Sequence, residues 1–192
     1  SVRKREAARI RSLAEHDTLT GLINRNTLHA GLAAMISRAD EDKCEVALLV
    51  IGLEGFQQIN HMLGHASGDL VLRAISERLT ATIPAAGLVA RLSGDEFAVA
   101  VRTSDIEENV SRFADQIGAS FNAPLLAGNR EHRVRVSIGA AVFPSGGRSA
   151  DELLSNSHMA LSRAKATRRG GHVMFEDNIR RELETRLTLE AE

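Results

Sequence analysis

Apolar and polar positions follow a few distinct rhythms along this chain. Residues 44–53, CEVALLVIGL, form an almost unbroken apolar run. Its length and β-branched content predict a strand buried on both faces. Val134, Val136, Ile138, Ala140 and Val142 recur at every second position, the period of a strand. Two shorter runs, Gly87 to Leu92 and Phe97 to Val101, flank the polar residues Ser93-Gly94-Asp95-Glu96 and predict a β-hairpin. His172 to Phe175 predicts a last short strand. Helical spacing appears in Leu28, Leu32, Met35 and Ile36, after the capping residues Asn24-Arg25-Asn26. It appears again over Phe56 to Leu63, through Leu70, Leu72, Ile75 and Leu79, from Asp105 through Phe121, and over 150–167. Strands interleaved with helices predict an α/β (α+β) layered domain, and the hairpin requires at least one antiparallel pair.

The two ends read differently. Residues 2–15, VRKREAARIRSLAE, carry a rough apolar stripe among many charges, as a solvated helix or the end of a signalling coiled coil would. From Glu176 the chain is charged and helical and stops without a C-cap. The domain is therefore placed at residues 17–175, between linker helices at 1–16 and 176–192, in a piece of a longer protein.

Composition narrows the function. The 192 residues hold 24 basic and 25 acidic side chains, so bulk positive charge for a nucleic-acid polymer is lacking. Aromatics are 3%, all Phe, which excludes base stacking on Tyr or Trp. A hydrophobic fraction of 43% supports a core of Leu, Ile, Val and Ala. Cys44, the single cysteine, excludes an intramolecular disulfide and reads as a buried small hydrophobe. No apolar run reaches membrane-spanning length and no signal peptide is seen, so the expectation is a cytoplasmic domain of a larger sensor protein, without membrane contact of its own.

The chemistry concentrates at Arg91-Leu92-Ser93-Gly94-Asp95-Glu96-Phe97. Two adjacent carboxylates at a hairpin tip repel, and a cation, Mg²⁺ or a basic side chain, offsets that repulsion. Turn chemistry taken alone also allows a solvated turn that tolerates acids. His61 and His65 are four apart, but Gly64 interrupts the helix between them, and they read as structural or surface histidines.

Several segments together resemble the GGDEF family. Asp17-Thr18-Leu19-Thr20-Gly21-Leu22-Ile23-Asn24-Arg25 is similar to its DxLTGLxNR motif. Phe56-Gln57-Gln58-Ile59-Asn60, then Gly64-His65 and Gly68-Asp69, resemble FKxIND…GHxxGD. Arg91 to Phe97 matches RxGGDEF with Ser93 in place of the first glycine. Ser137-Ile138-Gly139 resembles the SIG strand, and Ala160-Leu161 with Ala164-Lys165 the ALYxAK helix, Ser162 replacing the tyrosine. The resemblance implies a nucleotidyl-cyclase or polymerase-palm-like central mixed sheet flanked by helices. It implies bacterial signal transduction by condensation of two GTP molecules into cyclic di-GMP, across a homodimer, with Mg²⁺ or Mn²⁺. By motif, Asn60 and Asp69 would read guanine. Phe56 (through its backbone), Lys165 and Arg169 would hold phosphates. Asp95 and the Leu53 carbonyl would bind metal, with Glu96 supporting the site. The stretch Arg180 to Leu189 resembles the linker that precedes an EAL phosphodiesterase domain in tandem proteins, so the partner would be a second GGDEF or an EAL domain.

The departures matter as much. Gly52 stands where the family places a metal-binding aspartate, and hard divalent ions need carboxylate oxygens. Glu54 lies on the same strand face but about 6–7 Å further along, a gap its extra methylene covers only in part, and it is the weaker metal candidate. Gln57 replaces a lysine, His61 an aspartate, and Arg168 and Gly170 alter the GRN ending. The RxxD feedback motif is missing: Pro84-Ala85-Ala86-Gly87 stands there. Two readings follow: a degenerate module that binds guanine nucleotide with weak or no turnover, its metal held weakly, or an active diguanylate cyclase.

Overall fold

The computed structural model describes residues 13–103, 106–167 and 170–176. Most of the linker stretches, and Arg169, lie outside these residues. Helix α1, Arg25–Asp42, starts where Asn24, in an extended conformation, accepts the Thr27 amide through its side chain at 3.0 Å. Strand β1, Glu45–Glu54, is buried from Val46 to Leu53, as an apolar run without alternation requires. Gly55, at φ +75°, turns the chain directly from β1 into helix α2, Phe56–Leu63. Helix α3 is His65–Thr82. The hairpin strands β2 and β3 are Leu88–Ser93 and Glu96–Thr103, so the tip itself is Gly94-Asp95. Helix α4 is Ile106–Ser120. Short strands β4, Leu125–Ala127, and β5, Arg130–His132, lead to β6, Arg135–Phe143. Helix α5, Ala150–Thr167, and β7, His172–Met174, follow.

The sheet order is β2-β3-β1-β6-β7. β1 is central and antiparallel to both β3 and β6, while β7 runs parallel to β6. Residue parity on β1 divides the core. Ala47, Leu49, Ile51 and Leu53 join the residues of α3 and α4 on one face. Val46, Leu48 and Val50 join those of α1 and α5 on the other. This is a three-layer α/β/α domain. Gly52 and Glu54 share the parity of the α5 face, and β3 places Glu96 there too, in register with Gly52.

Three details differ from the sequence-based expectation. β6 alternates large and small residues but is buried on both faces, because Ser137, Gly139 and Ala141 make room for α5. The hairpin β4–β5 escapes periodicity, since three residues are too short to display it. Cys44 is half-buried at the strand's entrance, with its Sγ 3.7 Å from the Asp42 carbonyl, so it is not a core residue. Among the described residues, no helix is long and apolar enough to cross a membrane.

Candidate active site

The end of β1 and the β2–β3 tip are held together by main chain: the Leu53 amide donates to the Asp95 carbonyl at 3.1 Å. Arg91 fixes the tip from below. Its guanidinium donates to the Gly94 carbonyl at 2.8 Å and to the Asp17 carboxylate at 3.2 Å. Burial alone would raise the Asp17 pKa, but hydrogen bonds from Thr20 and Arg91 with the arginine's charge lower it overall.

Glu96 has a partner that sequence reading missed. His158 Nε2 stands 3.2 Å from its carboxylate, while His158 Nδ1 faces the Leu154 carbonyl at 2.8 Å. Both ring nitrogens face acceptors, so the geometry suits imidazolium. The hydrogen bond from His158 pulls the Glu96 pKa down against burial, and the charges of His158, Lys165 and Arg25 act the same way. The same hydrogen bond raises His158. A signal did exist: His158 lies seven residues before Lys165, two helical turns along one face.

Gly52 is buried, and the space of its absent side chain is filled. A Cβ built there would lie 2.6 Å from Lys165 Cε and 2.8 Å from Lys165 Nζ, with Leu161 Cδ2 at 3.4 Å. The lysine thus reaches down from α5 into the volume an aspartate would use. The Glu54 carboxylate accepts the hydroxyl of Ser137, the cross-strand neighbour of Gly52, at 2.6 Å. Among the described residues, no cluster of three His, Cys, Asp or Glu side chains is disposed to hold a metal. Asp95 and the Leu53 main chain remain adjacent, but one position of the expected donor set is empty of oxygen and occupied by an ammonium. These residues do not fit a two-ion site.

Asn60 and Asp69, expected from the sequence to read the base, sit on the adjoining helices. Phe56 is buried and anchors the start of α2. Half-buried Asn60 places its side-chain oxygen in the space left by the missing side chain of Gly68 on α3, with Phe56 Cζ beside it. Asp69 is exposed on the next residue of α3. A cavity of about 470 Å³ lies on the other flank of α2, lined by Glu54, Gln58, Met62, Arg133 and Arg135 among others. It contains none of Asn60, Asp69, Asp95 or Lys165. His61 and His65 are both exposed.

A central mixed sheet with a glycine-tipped acidic hairpin beside a strand-to-helix turn defines the GGDEF cyclase-fold class. The chain belongs to the family "Diguanylate cyclase, GGDEF domain", whose profile matches residues 14–171. It is 38% identical over 177 residues to an uncharacterized signaling protein of Caulobacter vibrioides, covering 91% of this chain and 22% of that protein. It is 36% identical over 174 residues to the diguanylate cyclase TpbB of Pseudomonas aeruginosa, covering 90% of this chain and 40% of TpbB. The solved GGDEF domain of TpbB superposes with a TM-score of 0.83 at 36% identity, covering 88% of this chain and 99% of that domain. The chain thus spans well under half the length of these full-length relatives.

Proposed function

We propose that this domain is a degenerate GGDEF module. It binds GTP or a related guanine nucleotide and regulates cyclic di-GMP signalling with weak or no cyclase turnover. Gly52 carries the reading: a site that must stabilise charge at a reacting phosphate has lost one carboxylate, and Lys165 takes up its space. Loss of such a ligand costs several kcal/mol of transition-state stabilisation, and about 4 kcal/mol corresponds to roughly a thousandfold in rate. Asn60, Asp69 and Lys165 support retained nucleotide binding, with Asn60 as the guanine-reading amide. Arg169 is the second phosphate-binding cation of this reading. The module would work as a homodimer or against a partner GGDEF or EAL domain. A relative from Pseudomonas aeruginosa, 33% identical over 177 residues, is the bifunctional diguanylate cyclase/cyclic di-GMP phosphodiesterase MucR, which supports the tandem arrangement.

A second reading, an active cyclase condensing two GTP with Mg²⁺, is favoured by the retained Asp95 beside Leu53 and by the likeness to TpbB. Incubation with GTP and Mg²⁺ or Mn²⁺, followed by chromatography for cyclic di-GMP, separates the two. The first reading expects product at trace level or none, and robust turnover would sink it. In an inactive protein, Gly52→Asp should restore part of the activity; failure to do so would move the defect to Gln57, His61 or Ser162.

A further inference from the structure

The space over Gly52 holds a cation, and it belongs to the protein. We infer that Lys165 stands in for a divalent ion, so that the domain binds a guanine nucleotide without needing a metal ion to hold its phosphates. The inference rests on the nucleotide-binding reading above and specifies the metal requirement of that site.

Three observations carry it. The first is steric: Lys165 Cε and Nζ lie 2.6 and 2.8 Å from the Cβ position of residue 52, so a carboxylate there and the lysine in this seat exclude one another. The second is the removal of repulsion. Divalent ions at phosphate sites screen the phosphates from the carboxylates that hold the ions. With no carboxylate at 52, one source of that repulsion is gone. The third is the state of Glu96, one of the two acids at the hairpin. Glu96 is 3.2 Å from His158 and lies in the field of Lys165 and Arg25. It is paired with a protein side chain where a metal site would leave it open to an ion. The lysine is a compact ammonium on a flexible stem, able to swing from Gly52 onto a phosphate oxygen without leaving the site.

The test is calorimetric titration of the whole 192-residue chain with α,β-methylene GTP, which cannot release pyrophosphate, in excess Mg²⁺ and again in EDTA. The inference expects dissociation constants within about threefold of each other. Lys165→Gln should weaken binding at least tenfold in both buffers. Gly52→Asp, which evicts the lysine and restores the acid, should bind at least tenfold more weakly in EDTA than in Mg²⁺. Binding by the wild type in Mg²⁺ alone overturns the inference and leaves the nucleotide-binding reading standing. No binding in either buffer overturns both. If Gly52→Asp does not fold, judged by circular dichroism, Lys165→Gln decides: unchanged affinity in EDTA overturns the proposal.

Discussion

Gly139→Ala offers the sharpest check on how the site is built. The glycine lies on β6 beneath α5. A Cβ there would overlap the Leu161 amide nitrogen and the Ser157 carbonyl, and would stand 2.6 Å from Leu161 Cα. All three are backbone atoms, so no side-chain rotation relieves the overlap. Ordinary contact begins near 3.4 Å, and 3.4 − 2.6 leaves a shortfall of 0.8 Å at Leu161 Cα alone. The helix must therefore retreat by about 1 Å, a gap that forfeits roughly a quarter to a half of each dispersion contact. α5 buries Leu153, Leu154, Ala160, Leu161 and Ala164. Spread over those residues, the loss is expected at about 3 kcal/mol, at the upper end for overpacking. Without the overlap the same substitution would stabilise by about 0.4–1 kcal/mol, because alanine restricts the unfolded chain. The two expectations differ in sign. Urea unfolding followed by circular dichroism measures the difference directly. A variant as stable as the wild type, or more so, refutes the close approach of α5 to β6.

His158→Gln removes the half-buried pair with Glu96, worth about 1 kcal/mol. The lowered Glu96 pKa contributes stability above its ordinary 4.5 and loses it as pH falls through the folded value; the raised His158 pKa contributes below 6.5 and loses it as pH rises through the folded value. The stability gap between wild type and variant should therefore be widest between those two values and shrink toward alkaline pH, and a gap that stays flat across pH contradicts the pairing. Arg91→Ala should cost about 1–3 kcal/mol in urea unfolding, because a half-buried Asp17 loses its cation and the Gly94 carbonyl its donor; no change in midpoint would mean the tip is held by other contacts. Gly68→Ala should leave stability within about 1 kcal/mol, since alanine favours the helix. Its methyl, however, displaces the Asn60 side chain, so GTP affinity should fall at least tenfold, about 1.4 kcal/mol; unchanged affinity removes Asn60 from the guanine site.

Much of this was readable from residue order. The bounds of α5 coincide with the expected 150–167, and β1 differs from 44–53 by one residue at each end, because long apolar periods dominate local preference. The hairpin followed from Gly94 between two apolar runs. The partnership of Glu96 with His158 was not readable, since 62 residues separate them and only the stacking of α5 on the sheet brings them together. The commitment of Glu54 to Ser137 depends likewise on a diagonal contact across β1 and β6, 83 residues apart.

Gly52 shows where reading stops. As a letter it announces a missing carboxylate and is silent on what replaces it. Gly139 looks equivalent: another small residue on the same sheet face. Their roles diverge along one helical stripe. Ser157 and Leu161 lie over Gly139, while Leu161 and Lys165 lie over Gly52, four residues further along α5. Gly139 lets helix backbone descend onto the sheet, and that descent is what brings Lys165 within reach of position 52. The close approach that belongs to the fold therefore sets the charge at the site. Gly139→Ala should accordingly weaken nucleotide binding along with stability, even though residue 139 lies beneath α5 and not among the proposed ligand-binding residues. A variant destabilised as expected but with unaltered affinity at a temperature where it remains folded would separate the two glycines and place Lys165 independently of α5's depth.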